Sequence, residues 1–121
     1  MDPKHFIPDE SKEYYTEERC HILELLNIPD VANQSIARAR VKPGVSTAWH
    51  FLDNTSEIYY ILEGTGEVEI GKNFKKFVTK NEMVFIPKDT RQRITNVSDS
   101  DLIFLCFCVP RFEPNNYNSV K

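Results

Sequence analysis

From residue 35 onward, the sequence is divided into short strand-like segments by turn-forming residues. Clusters of Gly, Pro, Asn and Asp lie between these segments, where they favour tight turns. Strands are therefore predicted at residues 35–41, 57–62, 67–70, 74–78, 83–86, 91–95 and 102–109. Many short strands without a helical period predict an all-β sandwich or barrel. Closing such a sheet would also remove exposed strand edges.

The chain length limits this architecture to one domain. A chain of 121 residues is too short to build two separate hydrophobic cores. We expect a polar arm over residues 1–18, the β-domain over residues 19–110 and a surface tail over residues 111–121. Residues 20–26 fit either a short helix or a strand.

Composition argues against several classes of partner. The net charge is −3 and no basic stripe is present, so we expect no nucleic-acid partner, because phosphate binding needs Lys and Arg. No run approaches the ~18 apolar residues of a spanning helix, so we expect no membrane partner.

No export signal is recognisable, and Cys20, Cys106 and Cys108 form no disulfide framework. We therefore expect a cytoplasmic protein.

One histidine and one carboxylate stand at intervals between two glycines. The order is Gly44, His50, Glu57 and Gly64. The strand that carries Glu57 is apolar on both faces, so this carboxylate needs either an arginine partner or a functional role. Tyr59 shares the face of Glu57, because alternate residues of a strand point the same way.

These residues resemble the first sequence motif of the cupin superfamily. Gly44, His50, Glu57 and Gly64 keep the motif's spacing, whereas Leu52 stands where a second histidine is usual. The resemblance spans roughly residues 35–109. It implies a cupin-type β-barrel, also described as a double-stranded β-helix or jelly roll.

A second block resembles the second cupin motif less closely. Pro87 and Asn96 fit that motif, and Gln92 replaces its histidine. Asn81 and Asp89 replace two glycines, a mild change because Asn and Asp tolerate turn conformations best after Gly.

The resemblance implies a divalent metal ion bound by His50, Glu57 and Gln92. Fe(II), Mn(II), Zn(II) and Ni(II) are all compatible with it. A neutral amide is a weak ligand, so this donor set is poor, although Tyr59 offers a further ligand or a neighbouring hydroxyl. The first hypothesis is accordingly an enzyme of the oxygenase, lyase or isomerase type that acts on a small polar organic compound.

Two other functions stay open. In a metal-free isomerase or epimerase of sugars or sugar nucleotides, His50 and Glu57 would form an acid–base pair and Tyr59 would donate a proton. A ligand-binding or sensing module would use the same pocket without turnover, so the sequence leaves open whether the protein is an enzyme. In each case the partner is a small molecule, and we also expect a homodimer formed through the outer sheet.

Alternation along the strand at residues 35–41 predicts which side chains surround the ligand. Arg38 and Arg40 are expected on the outer face. Ser35, Ala37 and Ala39 would then face inward, where small side chains leave room for a ligand. By the same alternation, Arg91 and Arg93 should point away from the pocket, because they flank Gln92.

Overall fold

The computed structural model describes residues 2–120, which form two β-sheets and two short 3-10 turns. The strands are β1 Tyr14–Tyr15, β2 His21–Leu26, β3 Ser35–Val41, β4 His50–Leu52, β5 Ser56–Glu63, β6 Thr65–Ile70, β7 Phe74–Thr79, β8 Met83–Ile86, β9 Gln92–Asn96, β10 Leu102–Val109 and β11 Tyr117–Ser119. The 3-10 turns are Glu10–Lys12 and Pro114–Asn116. The predicted all-β jelly-roll architecture is confirmed.

One sheet has six strands and the other has five. Their orders are β1-β2-β3-β10-β5-β8 and β11-β4-β9-β6-β7. All of the pairings are antiparallel, and β10 lies between β3 and β5. Cys108 of β10 is therefore in register with both Ser35 of β3 and Glu57 of β5. This register brings the inner faces of three strands together at one end of the sandwich.

The hydrophobic core lies between the two sheets. Its most completely buried branched aliphatic side chains come from both sheets and are at most 1% exposed: Val41, Ile61, Val68, Ile86, Ile94 and Leu102. Each of these residues alternates with a more exposed neighbour along its strand. Apolar burial of this kind is the main contribution to folding free energy, at roughly 25 cal/mol per Å².

Two residues that stand where the second cupin motif has glycine adopt a left-handed backbone conformation, which glycine favours. Asn81 has φ of 72° and Asp89 has φ of 61°. Both lie in turns beside β8, where a left-handed residue reverses the chain. Gly64 also has a positive φ, of 84°, and a Cβ there would lie 3.1 Å from Leu102 Cα.

The terminal segments, expected to be a polar arm and a surface tail, each contribute one short strand to a sheet. β1, from the segment 1–18, pairs with β2, and β11, from the segment 111–121, pairs with β4. Each terminal strand satisfies backbone groups that an edge strand would otherwise leave unpaired. Residues 20–26, which fit either structure in sequence, contain the strand β2. No helix of residues 2–120 is long and apolar enough to cross a membrane.

Candidate functional site

The inner faces of β3, β5 and β10 line a cavity of about 120 Å³. Ser35, Ala37 and Ala39 of β3 form one wall, and their small side chains leave the space open. Arg38 and Arg40 lie on the outer face of the same strand, where they form ion pairs with acidic residues of the N-terminal segment and with Asp101.

His50, Glu57 and Tyr59 all line this one cavity. The fourth residue singled out in the sequence, Gln92, is not among the described lining residues. It contacts the site through Tyr59, whose hydroxyl donates a hydrogen bond to Gln92 Oε1. The structure thus brings three of the four residues to the cavity and places the fourth immediately beside it.

Glu57 is a buried carboxyl group with one oxygen that lacks a partner. Its side chain lies on the inner face of β5 and is 7% exposed. Within residues 2–120, Oε1 accepts no hydrogen bond, and none of the ion pairs includes Glu57. The arginine partner considered from the sequence is therefore not found in the described chain. Leaving a buried polar atom unpaired costs free energy, so a bound group is expected to satisfy it.

The environment of Glu57 keeps its carboxyl group protonated at neutral pH. Burial raises its pKa from 4.5 to about 8, and the charge of Glu18 adds to this effect. Contacts with the side chains of Cys106, Gln92 and Cys108 oppose the shift only in part. A protonated carboxyl group can donate a hydrogen bond or a proton to a ligand.

His50 is held so that one ring nitrogen is occupied and the other is free. Nδ1 donates to the backbone oxygen of Ala48 at 2.9 Å and lies 3.4 Å from Glu18 Oε2. Tyr117 stacks against the ring, with centroids 5.1 Å apart. Because Nδ1 carries the proton in this arrangement, Nε2 is available as an acceptor, and no partner for it is found in the described residues.

Tyr59 is a neutral phenol next to Glu57. It is 3% exposed, and its ring lies against Phe104 with centroids 4.7 Å apart. Burial raises its pKa well above 10, and the charge of Glu57 raises it further. Since the hydroxyl proton is directed to Gln92, the Tyr59 oxygen faces a ligand as an acceptor.

The donor set does not fit a transition-metal ion. His50 is the single imidazole of the set, Glu57 is its single carboxyl group, and Gln92 Oε1 already accepts the Tyr59 hydroxyl. Leu52, at the position of the second motif histidine, is a buried apolar residue that lines the cavity. No group of three His, Cys, Asp or Glu residues within residues 2–120 is arranged to hold a metal ion. Cupin folds often bind metals, but these residues lack the usual ligands.

The two terminal segments form the mouth of the cavity. A surface depression of about 280 Å³ is lined by Thr16, Glu17, Glu18, Phe112, Pro114 and Tyr117. Four of these residues also line the cavity itself: Thr16, Glu18, Phe112 and Tyr117. Sequence reasoning missed all of them, because they lie in the segments expected to be an arm and a tail.

Glu18 is the most important of the missed residues. It is a partly buried carboxylate at the junction of mouth and cavity, and its side chain is 22% exposed. Burial raises its pKa, and the neighbouring His50 lowers it in part. No local pattern in the sequence distinguishes Glu18 from the other acidic residues of the arm.

Three cysteines also line the cavity as thiols. Cys106 and Cys108 project from the same face of β10, and Cys20 lies before β2. Burial raises the pKa of all three, that of Cys20 to about 12. They are therefore uncharged at neutral pH and contribute small, weakly polar surfaces.

Solved structures with the same fold include two characterised proteins. Pac13 of Streptomyces, a nucleoside dehydratase, is 13% identical, with a TM-score of 0.79 over 98% of this chain and 92% of Pac13. CapF, a capsular polysaccharide assembling protein of Staphylococcus aureus, is 18% identical, with a TM-score of 0.74. The match covers 98% of this chain but 35% of CapF. At these identities the likeness concerns the fold.

Sequence comparison identifies a relative of higher identity and a family model. The uncharacterized protein MJ1618 of Methanocaldococcus jannaschii is 38% identical over 106 residues, which are 86% of this chain and 84% of that protein. A family model described as a cupin domain matches residues 37–108, from β3 to β10. With its jelly-roll sheets and its cavity on the inner faces of β3, β5 and β10, the chain belongs to the cupin family.

Proposed function

We propose that this cupin is a metal-independent acid–base enzyme that moves a proton on a small organic molecule bound in the cavity. The observation that carries the proposal is the unpartnered oxygen of Glu57, buried in a cavity that His50 also lines. Isomerisation and elimination of water both belong to this class, because each removes a proton from carbon and delivers one to oxygen.

The two groups have complementary roles. Glu57 is protonated at neutral pH and acts as the general acid towards a carbonyl or leaving hydroxyl oxygen. His50, with Nδ1 committed to Ala48, offers Nε2 as the general base towards a C–H bond. After one turnover, His50 holds the proton taken from carbon and Glu57 has lost its own. Exchange with water through the mouth restores both.

Tyr59 and Gln92 support this pair. Tyr59 contributes an oxygen acceptor to the cavity beside Glu57. Gln92 is a positioning residue, because it fixes the Tyr59 hydroxyl without lining the cavity. In this arrangement the phenol orients a substrate hydroxyl rather than acting as the proton donor.

The size and charge of the cavity restrict the substrate. Its volume of about 120 Å³ is comparable to that of engineered cavities that hold a benzene ring. A sugar nucleotide is much larger, and no Lys or Arg of the described chain lines the cavity to bind its phosphates. Pac13 supports the reaction class in this fold, since a dehydratase removes water. The substrate proposed here is smaller than a nucleoside.

The test is proton exchange in D₂O, followed by NMR on a panel of small carbonyl and hydroxyl compounds. We expect at least one compound to exchange a C–H proton or lose water, equally with and without EDTA. Glu57→Gln should lower the rate by about 100-fold or more. Glu63→Gln, at the exposed end of the same strand, is the matched control and should leave it unchanged. Binding of a compound with no exchange at any carbon would overturn the enzymatic proposal.

The homodimer expected from the sequence remains part of the proposal. Five apolar side chains of β5, β8 and β10 share what we call the outer apolar face: Ile58, Tyr60, Met83, Phe85 and Phe107. Met83 and Phe85 are 58% and 61% exposed in the single chain. A contiguous apolar surface of this kind is typical of a protein–protein interface.

A cytoplasmic location is also retained as a proposal. The three cysteines are free thiols. Cys106 and Cys108 alternate along one strand and share a face, so they do not pair within β10. Free thiols in this number fit a reducing compartment.

A further inference from the structure

Acidic side chains line the cavity and its mouth, and no Lys or Arg does so among the described residues. Glu57 lies at the inner end, Glu18 at the junction with the mouth, and Glu24 at the exposed edge of β2. The mouth adds Glu17. Among the described lining residues, His50 is the one side chain that can carry a positive charge.

The arginines around the cavity direct their guanidinium groups elsewhere. Arg19, which follows Glu18, donates from Nε to the backbone oxygen of Ser46. Arg38 and Arg40 of the cavity wall strand bind Glu10 and Glu13 on the outer face. Arg91 and Arg93 lie over the ring of Trp49, within 4.6 Å of its centroid. Because Glu57 is uncharged at neutral pH, the negative charge comes from the mouth, where Glu17 and Glu18 disfavour an anionic ligand and favour a cation.

Two further features support a ligand with a positive charge at one end. Glu57 is more than nine-tenths buried and its Oε1 is unpartnered, so a polar group of a ligand would find a partner at the inner end of the cavity. At the outer end, Phe112 and Tyr117 line both mouth and cavity beside Glu18. Aromatic rings next to a carboxylate are a common environment for an ammonium group, and Tyr117 keeps one face free of the His50 ring that stacks on the other.

We propose that the substrate is a small organic cation, an amine protonated at neutral pH, whose ammonium group pairs with Glu18 at the mouth. Its uncharged, reacting end then reaches Glu57 at the inner end. The inference rests on the acid–base function proposed above for the same cavity, and it adds the charge class and the orientation of the substrate.

The test is a comparison of three ring compounds of closely similar size. Cyclopentylammonium, cyclopentanol and cyclopentanecarboxylate are titrated into the full-length protein by calorimetry at pH 7. We expect cyclopentylammonium to bind most tightly and the carboxylate least. Added NaCl should weaken the binding of the cation alone, because it screens the charge pair.

Variants identify the residue that holds the ammonium group. Glu18→Gln should weaken binding of cyclopentylammonium by about tenfold or more and leave cyclopentanol unchanged. Glu63→Gln, an exposed carboxylate at the end of β5 that lines neither the cavity nor its mouth, is the matched control and should have little effect. Equal or tighter binding of cyclopentanol, no binding of any of the three, or an unchanged cation affinity in Glu18→Gln would overturn the inference.

Failure of this inference and failure of the proposed function give different results. If neutral compounds bind and exchange protons while amines do not, the charge assignment is wrong and the acid–base function stands. If amines bind through Glu18 but no amine ever exchanges a C–H proton, the charge assignment stands and the enzymatic function is wrong.

Discussion

The imidazole of His50 lies nearly parallel to the phenol ring of Tyr117, with ring centroids 5.1 Å apart and planes inclined by 17°. His50 belongs to the barrel strand β4, whereas Tyr117 belongs to β11, which the C-terminal segment adds beside it. The orientation of the proposed base therefore depends on a residue outside the span of the family match. Several measurable consequences come from this contact and from the residues around it.

Removal of the Tyr117 ring should affect the site more than the fold. Tyr117→Ala should cost about 1 kcal/mol of stability, because one stacked aromatic pair is lost at the edge of a sheet. It should also weaken ligand binding, since His50 loses a support and the mouth widens. Tyr117→Phe keeps the ring and should behave like the wild type in both respects. Chemical denaturation and cyclopentylammonium titration measure the two effects; identical ligand affinity in all three proteins would contradict this role.

Protonation of Glu57 should make stability fall as pH rises. The folded-state pKa, about 8, lies above the unfolded value of 4.5, so the folded chain holds the proton more tightly. The associated stabilisation is complete below pH 4.5 and is lost as pH approaches 8, with a magnitude on the order of a few kcal/mol. Thermal unfolding between pH 5 and 9 measures this slope.

Glu57→Gln provides the matching comparison. Its amide has nearly the shape of the protonated carboxyl group and does not titrate, so the variant should lose this part of the pH dependence and be more stable than the wild type at pH 9. The exposed control Glu63→Gln should retain the wild-type slope. A parallel slope in wild type and Glu57→Gln would show that Glu57 ionises normally in the folded protein.

The rate of proton transfer should depend on the same ionisation. Because Glu57 acts as the general acid, turnover should decline as pH rises through about 8. The measurement is the initial rate of exchange across pH 6 to 10 with a compound that the NMR panel identifies. A rate that increases throughout this range would assign Glu57 the role of base instead.

Two substitutions should create the metal site that the wild type lacks. In the double variant Leu52→His and Gln92→His, both motif positions regain imidazoles next to His50 and Glu57, a donor set that suits first-row metals. After loading with Zn(II) or Mn(II) and gel filtration, elemental analysis should find a full equivalent of metal in the variant. The wild type should remain substoichiometric, and a full equivalent there would reverse the conclusion about its donor set.

A charge on the outer apolar face should separate the proposed dimer. Phe85→Asp places an unpaired carboxylate within this face, on its edge strand β8, where desolvation on association would be costly. Phe77→Asp, on β7 of the other sheet and 65% exposed, is the control. Light scattering at micromolar concentration should give a dimer for the wild type and for Phe77→Asp, and a monomer for Phe85→Asp. A monomeric wild type would remove the proposal.

Regular local patterns made much of the fold predictable. Residues 35–41 and 102–109 were predicted as strands and form β3 and β10 with the same limits. Turn residues at both ends and apolar bulk between them determine such segments locally. The three-residue strand β4 was not predicted, because it is too short to show a period.

The sequence predicted the site residues that lie on strands of the barrel, but not those that the terminal segments contribute. The spacing of His50 and Glu57 and the alternation of Tyr59 placed three residues in one cavity. Glu18 and Tyr117 reach that cavity by long-range docking of the terminal segments, for which the local sequence carries no signal. The hydrogen bond from Tyr59 to Gln92 likewise joins β5 to β9 across the two sheets, and only the packing of those sheets reveals it.

The entrance to the cavity is made from the two ends of the chain, whereas the proposed acid and base sit on strands inside it. Changes in length or composition at either terminus can thus alter which compounds are admitted and leave the reacting groups untouched. Related chains that share the barrel but differ at their ends should then carry out one kind of chemistry on different molecules.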